Sequence, residues 1–357
     1  MARKISFENI CFGYKKGVPL FHKLSFSIIQ PSEKGFIVGL MGNSGSGKST
    51  LLKLLLGTEQ IWSGNISIHP KEPVISYIPQ EPVLFEHLTP MENAKFFSKT
   101  ERFKRSFNES RFQEMAALLG MNGLLLSAKS VNEISGGQKQ RISLLRALSI
   151  NPDILLLDEP LTGLDERIKY SFLVILARLA KEYNLMMIYV THHRQEIELI
   201  SDEILFLEQD KELGYIHEII QQQTSTFFEK PLTLSALYLS KDHNMNVLPV
   251  EIDSHTGQIS LCGQDESGSN KYSISFHHDA IHFDENDGWD FRVIAETSGY
   301  MFLQLVENES VVVIPAHEDR ICKTRGNRIL LNGNVDIYKN EKFFISKTIT
   351  KNHITNL

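Results

Sequence analysis

The chain has 357 residues, a formal net charge of −6, 22% charged residues and three cysteines, Cys11, Cys262 and Cys322. That length suits two or three domains with a proper core. The acidic balance without a basic tract argues against a general nucleic-acid or anionic-membrane binder, and three scattered cysteines fit a reducing compartment rather than a metal site. MARKISFENI begins a strand-like alternation rather than the apolar core of a signal peptide, and no apolar run approaches the ~20 residues needed to span a bilayer.

Ile5 to Phe12 alternates apolar and polar residues and ends at Gly13-Tyr14, which reads as an edge strand and a turn. Tyr14 is either a surface tyrosine or an aromatic ring placed to stack on a base. Leu24 to Ile29 reads as a second strand, and Pro31-Ser32-Glu33-Lys34-Gly35 as the turn into a third, Phe36 to Met41. The segment Gly42-Asn43-Ser44-Gly45-Ser46-Gly47-Lys48-Ser49-Thr50 then fits G-x-x-x-x-G-K-[ST], a loop whose amides curl around nucleotide phosphates. It opens a helix, Lys48 to Leu56, stopped by Gly57. Phosphate is thereby delivered to a helix N-terminus, where free amides and the dipole favour anions. Lys48 should reach the β and γ phosphates, and the Ser49 hydroxyl should ligate Mg²⁺.

Ser63-Gly64-Asn65 reads as a turn, Ile66 to Ile68 and Val74 to Ile78 as short strands, the latter ending at Pro79-Gln80. Thr89 or Pro90 opens a helix, and from there to about Leu148 the pattern is mostly helical, with Phe112, Met115, Ala116 and Leu119 at helical spacing. The last helix of this insertion begins at Ser135-Gly136-Gly137-Gln138. Ser135 is a good N-cap, and the two glycines either bare amides to an anion or permit close packing. Ile154 to Leu157 is a continuous apolar run that reads as a central parallel strand carrying Asp158 and Glu159 to its C-terminal end, where open α/β sheets bind ligands. Asp158 is suited to hold Mg²⁺ through water, and Glu159 to orient or deprotonate an attacking water. After Leu161-Thr162-Gly163-Leu164-Asp165, Asp165 can cap an amphipathic helix from Glu166 to Glu182, with Ile168, Phe172, Ile175, Leu176 and Leu179 on one face. Met186 to Thr191 reads as the next buried strand and delivers His192, placed to hydrogen-bond a γ-phosphate.

In order, GNSGSGKST, Gln80, ISGGQ, ILLLDEP, LTGLD and VTHH resemble the ATP-binding subunit of the ABC transporter family, over about residues 3 to 230. The resemblance implies an ATPase using ATP and Mg²⁺, with Tyr14 as the adenine-stacking aromatic. Gln80 would link the nucleotide site, including its metal, to the transmembrane partner. Ser135, Gly136, Gly137 and Gln138 would contact ATP held by a second copy in a head-to-tail dimer, Asp165 would link the two sites, and His192 would sense γ-phosphate. His193 stands where that family commonly has aspartate, and Asp210 where it usually turns on glycine.

The remaining third alternates strand-like segments, Val247 to Ile252, Gln258 to Cys262, Tyr272 to Phe276, Trp289 to Ile294, Tyr300 to Val306 and Val311 to Pro315, with Gly, Asn, Asp and Ser turns. This reads as a small all-β barrel or sandwich. Glu229-Lys230-Pro231, Asn244 to Leu248 and Phe276 to Ile281 resemble the spacing joining importer ATPases to an OB-like barrel extension, with His277 and His278 where Arg-Pro is common. His277, His278 and His282 read as loop histidines rather than metal ligands. The expectation is an α/β phosphate-loop ATPase domain over 1–230, with its helical insertion at about 83–150, and a β-rich regulatory domain over 231–357. Its implied place is the cytoplasmic face of the cell membrane, peripheral, with permease subunits as partners and an extracytoplasmic solute-binding protein reached through them. The alternative is a soluble ATPase switch on nucleic acid or ribosomes; against it stand one copy of each motif and no sustained heptads.

Overall fold

In a computed structural model the described residues are 3–31, 34–105, 107–127, 130–210, 213–229, 231–233, 236 and the strand segments between 245 and 354 given below. Of the residues singled out above, Ser32, Glu33, Lys230, Asn244, Gln258, Cys262, His278, Val306 and Cys322 lie outside them. The chain divides into two compact units, Met1–Phe227 and Phe228–Leu357.

In the first unit the elements run β1 (Lys4–Phe12), β2 (Phe21–Ile29), β3 (Phe36–Gly42), α1 (Lys48–Leu56), β4 (Ser63–His69), β5 (Ile75–Ile78), α2 (Pro90–Ala94), α3 (Glu109–Leu118), α4 (Asn122–Leu125), α5 (Gly136–Leu148), β6 (Ile154–Asp158), α6 (Glu166–Tyr183), β7 (Met186–Val190), α7 (Arg194–Ile200), β8 (Glu203–Leu207), β9 (Ile219–Gln223) and α8 (Thr224–Glu229), which runs past the boundary. Strands β5, β6, β7, β3, β8 and β9 form one sheet in that order, parallel except for the β8–β9 pair. Its central strands are buried throughout, as β3 (FIVGLMG), β6 (ILLLD) and β7 (MMIYV) illustrate. One set of alternate residues, including Val38, Leu40, Leu156 and Ile188, joins a core shared with Leu51 and Leu52 of α1 and with Ile5, Phe7 and Leu24 of β1 and β2. Their neighbours Leu155, Leu157, Met187 and Tyr189 are equally buried on the other face. Both faces being covered explains the unbroken apolar runs.

The second sheet corrects two expectations. Strand β1 is not an edge: it pairs antiparallel with β2 on one side and β4 on the other. Alternation reports one buried and one wet face, and a central strand in a one-sided antiparallel sheet satisfies it as well as an edge does. Ser63-Gly64-Asn65 is strand rather than turn, opposite a register shift between Glu8 and Cys11. Gly64 adopts φ 102, and a Cβ there would lie 2.6 Å from the carbonyl oxygens of Glu8 and Asn9. The glycine marks a bulge with close backbone approach.

Among the described residues of the second unit, β10 (Met245–Ile252), β11 (Ile259–Leu261), β12 (Lys271–His277), β13 (Ile281–Asp284), β14 (Trp289–Glu296), β15 (Tyr300–Leu305), β16 (Val311–Pro315), β17 (Arg328–Leu331), β18 (Gly333–Lys339), β19 (Lys342–Thr350) and β20 (His353–Ile354) form two antiparallel sheets. Their orders are β11-β10-β12-β18-β19-β20 and β13-β17-β14-β15-β16.

Candidate functional site

The buried strand β3 ends at Gly42, and the chain loops through Ser46 before α1 begins at Lys48. Gly47 is the N-cap, left-handed at φ 82 and ψ 14, and no side chain caps the helix. The positive φ favours glycine, and a Cβ at Gly47 would stand 3.0 Å from the Phe21 ring and 3.1 Å from Leu20 Cδ2, so those side chains would have to give by a few tenths of an ångström. The first amides of α1 are thus left without a side-chain acceptor, the arrangement an anion exploits. Ser46 is buried and its Oγ has no hydrogen-bond partner, and a phosphate oxygen would relieve that cost. Lys48 is folded back over the loop, its Nζ donating to the carbonyl oxygens of Gly42 and Asn43 at 2.9 Å each. Burial lowers its pKa, an effect opposed by the charges of Glu159 and Asp158.

The loop lines a cleft of about 970 Å³. Around its mouth stand Tyr14, Gln80, Glu159 and His192, with Ser49 and Thr50 on the helix side. Tyr14 is 60% exposed, its hydroxyl 3.0 Å from Thr50 Oγ1 and its ring edge-on to Phe12, which leaves a face for stacking.

Strands β5, β6 and β7, paired in parallel, bring their C-terminal residues together. The Glu159 carboxylate is held from three sides. His192 Nδ1 lies 3.1 Å from Oε1, Gln80 Nε2 donates to Oε2 at 3.1 Å, and the Thr162 hydroxyl donates to Oε2 at 3.3 Å. The Glu159 backbone takes φ 46, a left-handed conformation that costs a non-glycine residue about 1–2 kcal/mol. Its amide donates to Val190 O at 2.9 Å and its carbonyl accepts from Thr162 N at 3.2 Å, which fixes the turn. Asp158 is buried, and Tyr77 donates to its Oδ2 at 3.2 Å. Burial first, then the Asp158 charge and this bond, push the Tyr77 phenol up to about 12.

The sequence assigns no role to Tyr77 or Thr162. Tyr77 is legible only once the register is known, since it pairs with Leu156, two residues before Asp158. Thr162 lies in LTGLD, a pattern that marks the turn but does not show that its hydroxyl reaches back to the Glu159 carboxylate.

The second motif cluster does not reach this cleft. Ser135 caps α5, its Oγ accepting from Gln138 N at 3.3 Å while its own amide donates to the Gln138 side chain at 3.0 Å. Gly136 and Gly137 face Leu164 and Ile168, so ISGGQ and LTGLD lie side by side. Asp165 occupies the N-cap of α6 with extended backbone, but its side chain makes no capping bond. It is exposed, and solvation of the carboxylate competes with the cap.

The family described as "ABC transporter" matches residues 22–162. The "High-affinity zinc uptake system ATP-binding protein ZnuC" of Bacillus subtilis is 32% identical over 221 residues, 59% of this chain and 94% of that one. The "Sulfate/thiosulfate import ATP-binding protein CysA" of a Synechocystis species is 34% identical over 203 residues, 54% of this chain, which spans 57% of that relative. A solved "bacterial Atm1-family ABC exporter with ATP bound" superposes with a TM-score of 0.54 at 25% identity, covering 66% of this chain and 41% of the exporter. A phosphate loop opening an uncapped helix, a carboxylate pair at the end of β6, one strand removed from β3, and a sequence alike over nearly all of one such relative place this chain in the ABC transporter family, as one of its ATPases.

Proposed function

We propose that the chain is the ATP-hydrolysing subunit of a membrane importer, working on the cytoplasmic face as a peripheral subunit bound to permease subunits. Relatives named for zinc uptake and sulfate import support the direction of transport. Among the described residues no helix is long and apolar enough to cross a membrane, so passage would be supplied by other chains. The observation that carries the hydrolytic part is the clamp on Glu159 by His192, Gln80 and Thr162 at the mouth of the phosphate-loop cleft.

In this reading Tyr14 stacks on adenine, and the amides of residues 42–50 wrap the phosphates. Lys48 leaves the Gly42 and Asn43 carbonyls to pair with them, and Ser46 Oγ gains its missing partner. Ser49, Gln80 and Asp158 offer hydroxyl, amide and carboxylate oxygens, a hard donor set that fits Mg²⁺ and water. Mg²⁺ bound there would neutralise charge developing on the phosphate oxygens. Tyr77 holds Asp158 in place through Oδ2. Glu159 orients and accepts a proton from the attacking water, while His192 and Gln80 fix its two oxygens. Ser135, Gly136, Gly137, Gln138 and Asp165 serve ATP bound to a second copy of the chain, in a head-to-tail dimer whose closure ATP favours and hydrolysis reverses. Residues 231–357 are read as a β-rich, OB-like regulatory domain, supported by antiparallel strands throughout its described part.

Glu159→Gln tests the reading. It is expected to bind ATP, to hydrolyse it about 10²–10⁴-fold more slowly, and to form a more persistent dimer. Purified from detergent-solubilised membranes in ATP and Mg²⁺, it should retain a multi-span protein. Wild-type turnover would remove Glu159 from the mechanism, and recovery with ribosomes or nucleic acid would replace the importer with a soluble switch.

A further inference from the structure

His192 hangs on a three-residue turn between β7 and α7, and a rigid bond spans that turn. Tyr189 in β7 donates its hydroxyl to Glu196 Oε2 in α7 at 2.7 Å. Both are buried, Tyr189 at 0% and Glu196 at 5% exposed, and Glu196 Oε1 has no hydrogen-bond partner. An apolar pair of the same size would pack here without the desolvation that a buried carboxylate brings. Simple cohesion of β7 and α7 therefore leaves the pair unexplained.

Its place in the turn gives it a use. At one end, β7 is tied to the backbone of the residue that carries the hydrolytic carboxylate, since Val190 O accepts the Glu159 amide at 2.9 Å. At the other, α7 rests on the sheet through Ile197, so close that a Cβ on Gly39 would fall 2.8 Å from Ile197 Cδ1. That contact sets the height of α7 above the sheet. It does not set how far the helix slides or rotates, because apolar contact is not directional. Directional bonds do: just past the C-terminal end of α7 the Asp202 amide donates to Ile37 O and its carboxylate accepts the Ile37 amide, both at 2.8 Å, and beside the turn the Tyr189–Glu196 bond fixes the N-terminal half. Inside the turn, Thr191 Oγ1 accepts the His193 amide at 3.1 Å, and the His192 and His193 rings lie 4.0 Å apart. With both ends fixed and the interior braced, His192 is presented to Glu159 at 3.1 Å although its own side chain is 54% exposed.

We propose that Tyr189 and Glu196 are positioning residues for hydrolysis, locking β7 to α7 so that His192 is held at the Glu159 carboxylate. The proposal rests on the hydrolytic reading of Glu159 and His192 given above. Neither Tyr189 nor Glu196 lines the nucleotide cleft, so the effect passes through His192 and should fall on turnover rather than binding.

Tyr189→Phe in the full chain is the test. It keeps the ring and removes the one bond, and kcat should fall about tenfold or more, with the Kd for ATP changed less than about twofold. In ¹⁵N-histidine spectra the His192 ring signal should move in the direction seen for Glu159→Gln, as expected if contact with the carboxylate is lost. Unchanged kcat, a fall in kcat matched by weaker ATP binding, or an unmoved His192 signal would each overturn the proposal. Should this variant not fold, Glu196→Gln and Glu196→Met carry the same contrast. Gln keeps an acceptor for the Tyr189 hydroxyl and should hold kcat within about twofold, while Met, of similar length without one, should lose about tenfold; equal kcat in the two overturns it. Wild-type turnover in Glu159→Gln would instead sink the hydrolytic reading itself, which separates the two failures.

Discussion

Two helix N-termini in this molecule are built from similar small residues and finished in opposite ways. At α1 the N-cap is Gly47, no side chain reaches the first amides, and the preceding Ser46 hydroxyl is buried without a partner. At α5 the N-cap is Ser135, and a reciprocal pair of bonds with Gln138 closes the end on itself. The first end is incomplete without a ligand, whereas the second is a finished structure that a ligand must compete with. A third helix, α2, has the same reciprocal cap as α5, made by Thr89 and Glu92. The difference lies in charge, for Glu92 is anionic and answers the helix dipole from within the chain, while neutral Gln138 leaves the dipole of α5 available to an outside anion. Comparing α1 with α5, and α5 with α2, separates a helix end that waits for phosphate from one that can accept it only when another molecule brings it.

The largest expected effect comes from emptying the first end. Lys48→Ala should lower ATP affinity and turnover together, each by about 10²-fold or more, measured by nucleotide titration and phosphate release. Retained affinity would mean that the amides of α1 suffice alone. Next, Gln138→Glu gives α5 the charge that α2 already has. ATP-driven association of the Glu159→Gln protein, followed by light scattering, should weaken roughly fivefold, the worth of about 1 kcal/mol at a helix end. Undiminished association would remove α5 from the interface.

Ser135→Ala and Thr89→Ala form a smaller, paired test. Each should cost about 1 kcal/mol in denaturant unfolding, as lost caps do, but only Ser135→Ala should also reduce ATP-driven association. The smallest effect is a pH dependence. The Thr89 backbone amide first, and the Thr89 hydroxyl next, hold the Glu92 carboxyl below its ordinary value of 4.5. That stability is present above the unfolded-state value and is lost as pH falls through the lower folded one. In melts from pH 6 to pH 3, Glu92→Gln should be slightly flatter than wild type, whereas Gln138→Ala should shift the curve without changing its slope.

The site was legible in the sequence to the extent that it is built from contiguous backbone. Lys48 to Leu56 is the helix as read, with Gly57 ending it in the left-handed region, because the stop is a local property of glycine. Ser135, Thr89 and Asp165 all stand at helix N-caps, yet the last makes no side-chain bond, since propensity fixes the position and not the partner. Contacts that depend on register could not be read: Tyr77 on Asp158, Gln80 on Glu159 and Tyr189 on Glu196 each need strand order or helix placement. The same limit explains β1, whose alternation is identical for an edge and a central strand, and Gly64, whose turn-like neighbours disguise a bulge. Strands β8 and β9, and β13, β17, β18, β19 and β20 in the second unit, are not among the strands read from the sequence, although EILFL in β8 is an apolar run like that of β6. For β13 and β17 the pairing partners lie far along the chain, whereas β18 and β19 pair across two polar residues, Asn340-Glu341, that lack the glycine which marks tight hairpins.

The left-handed backbone at Glu159 has a consequence for how such a protein can be improved. A residue at φ 46 is more comfortable as asparagine or glycine, so variants there should fold more readily than the parent. They would also lack the carboxylate clamped by Gln80, Thr162 and His192. A library screened for heat resistance would therefore collect its winners at the position where the proposed chemistry is lost, and selection for transport would have to be applied alongside to hold that acid in place.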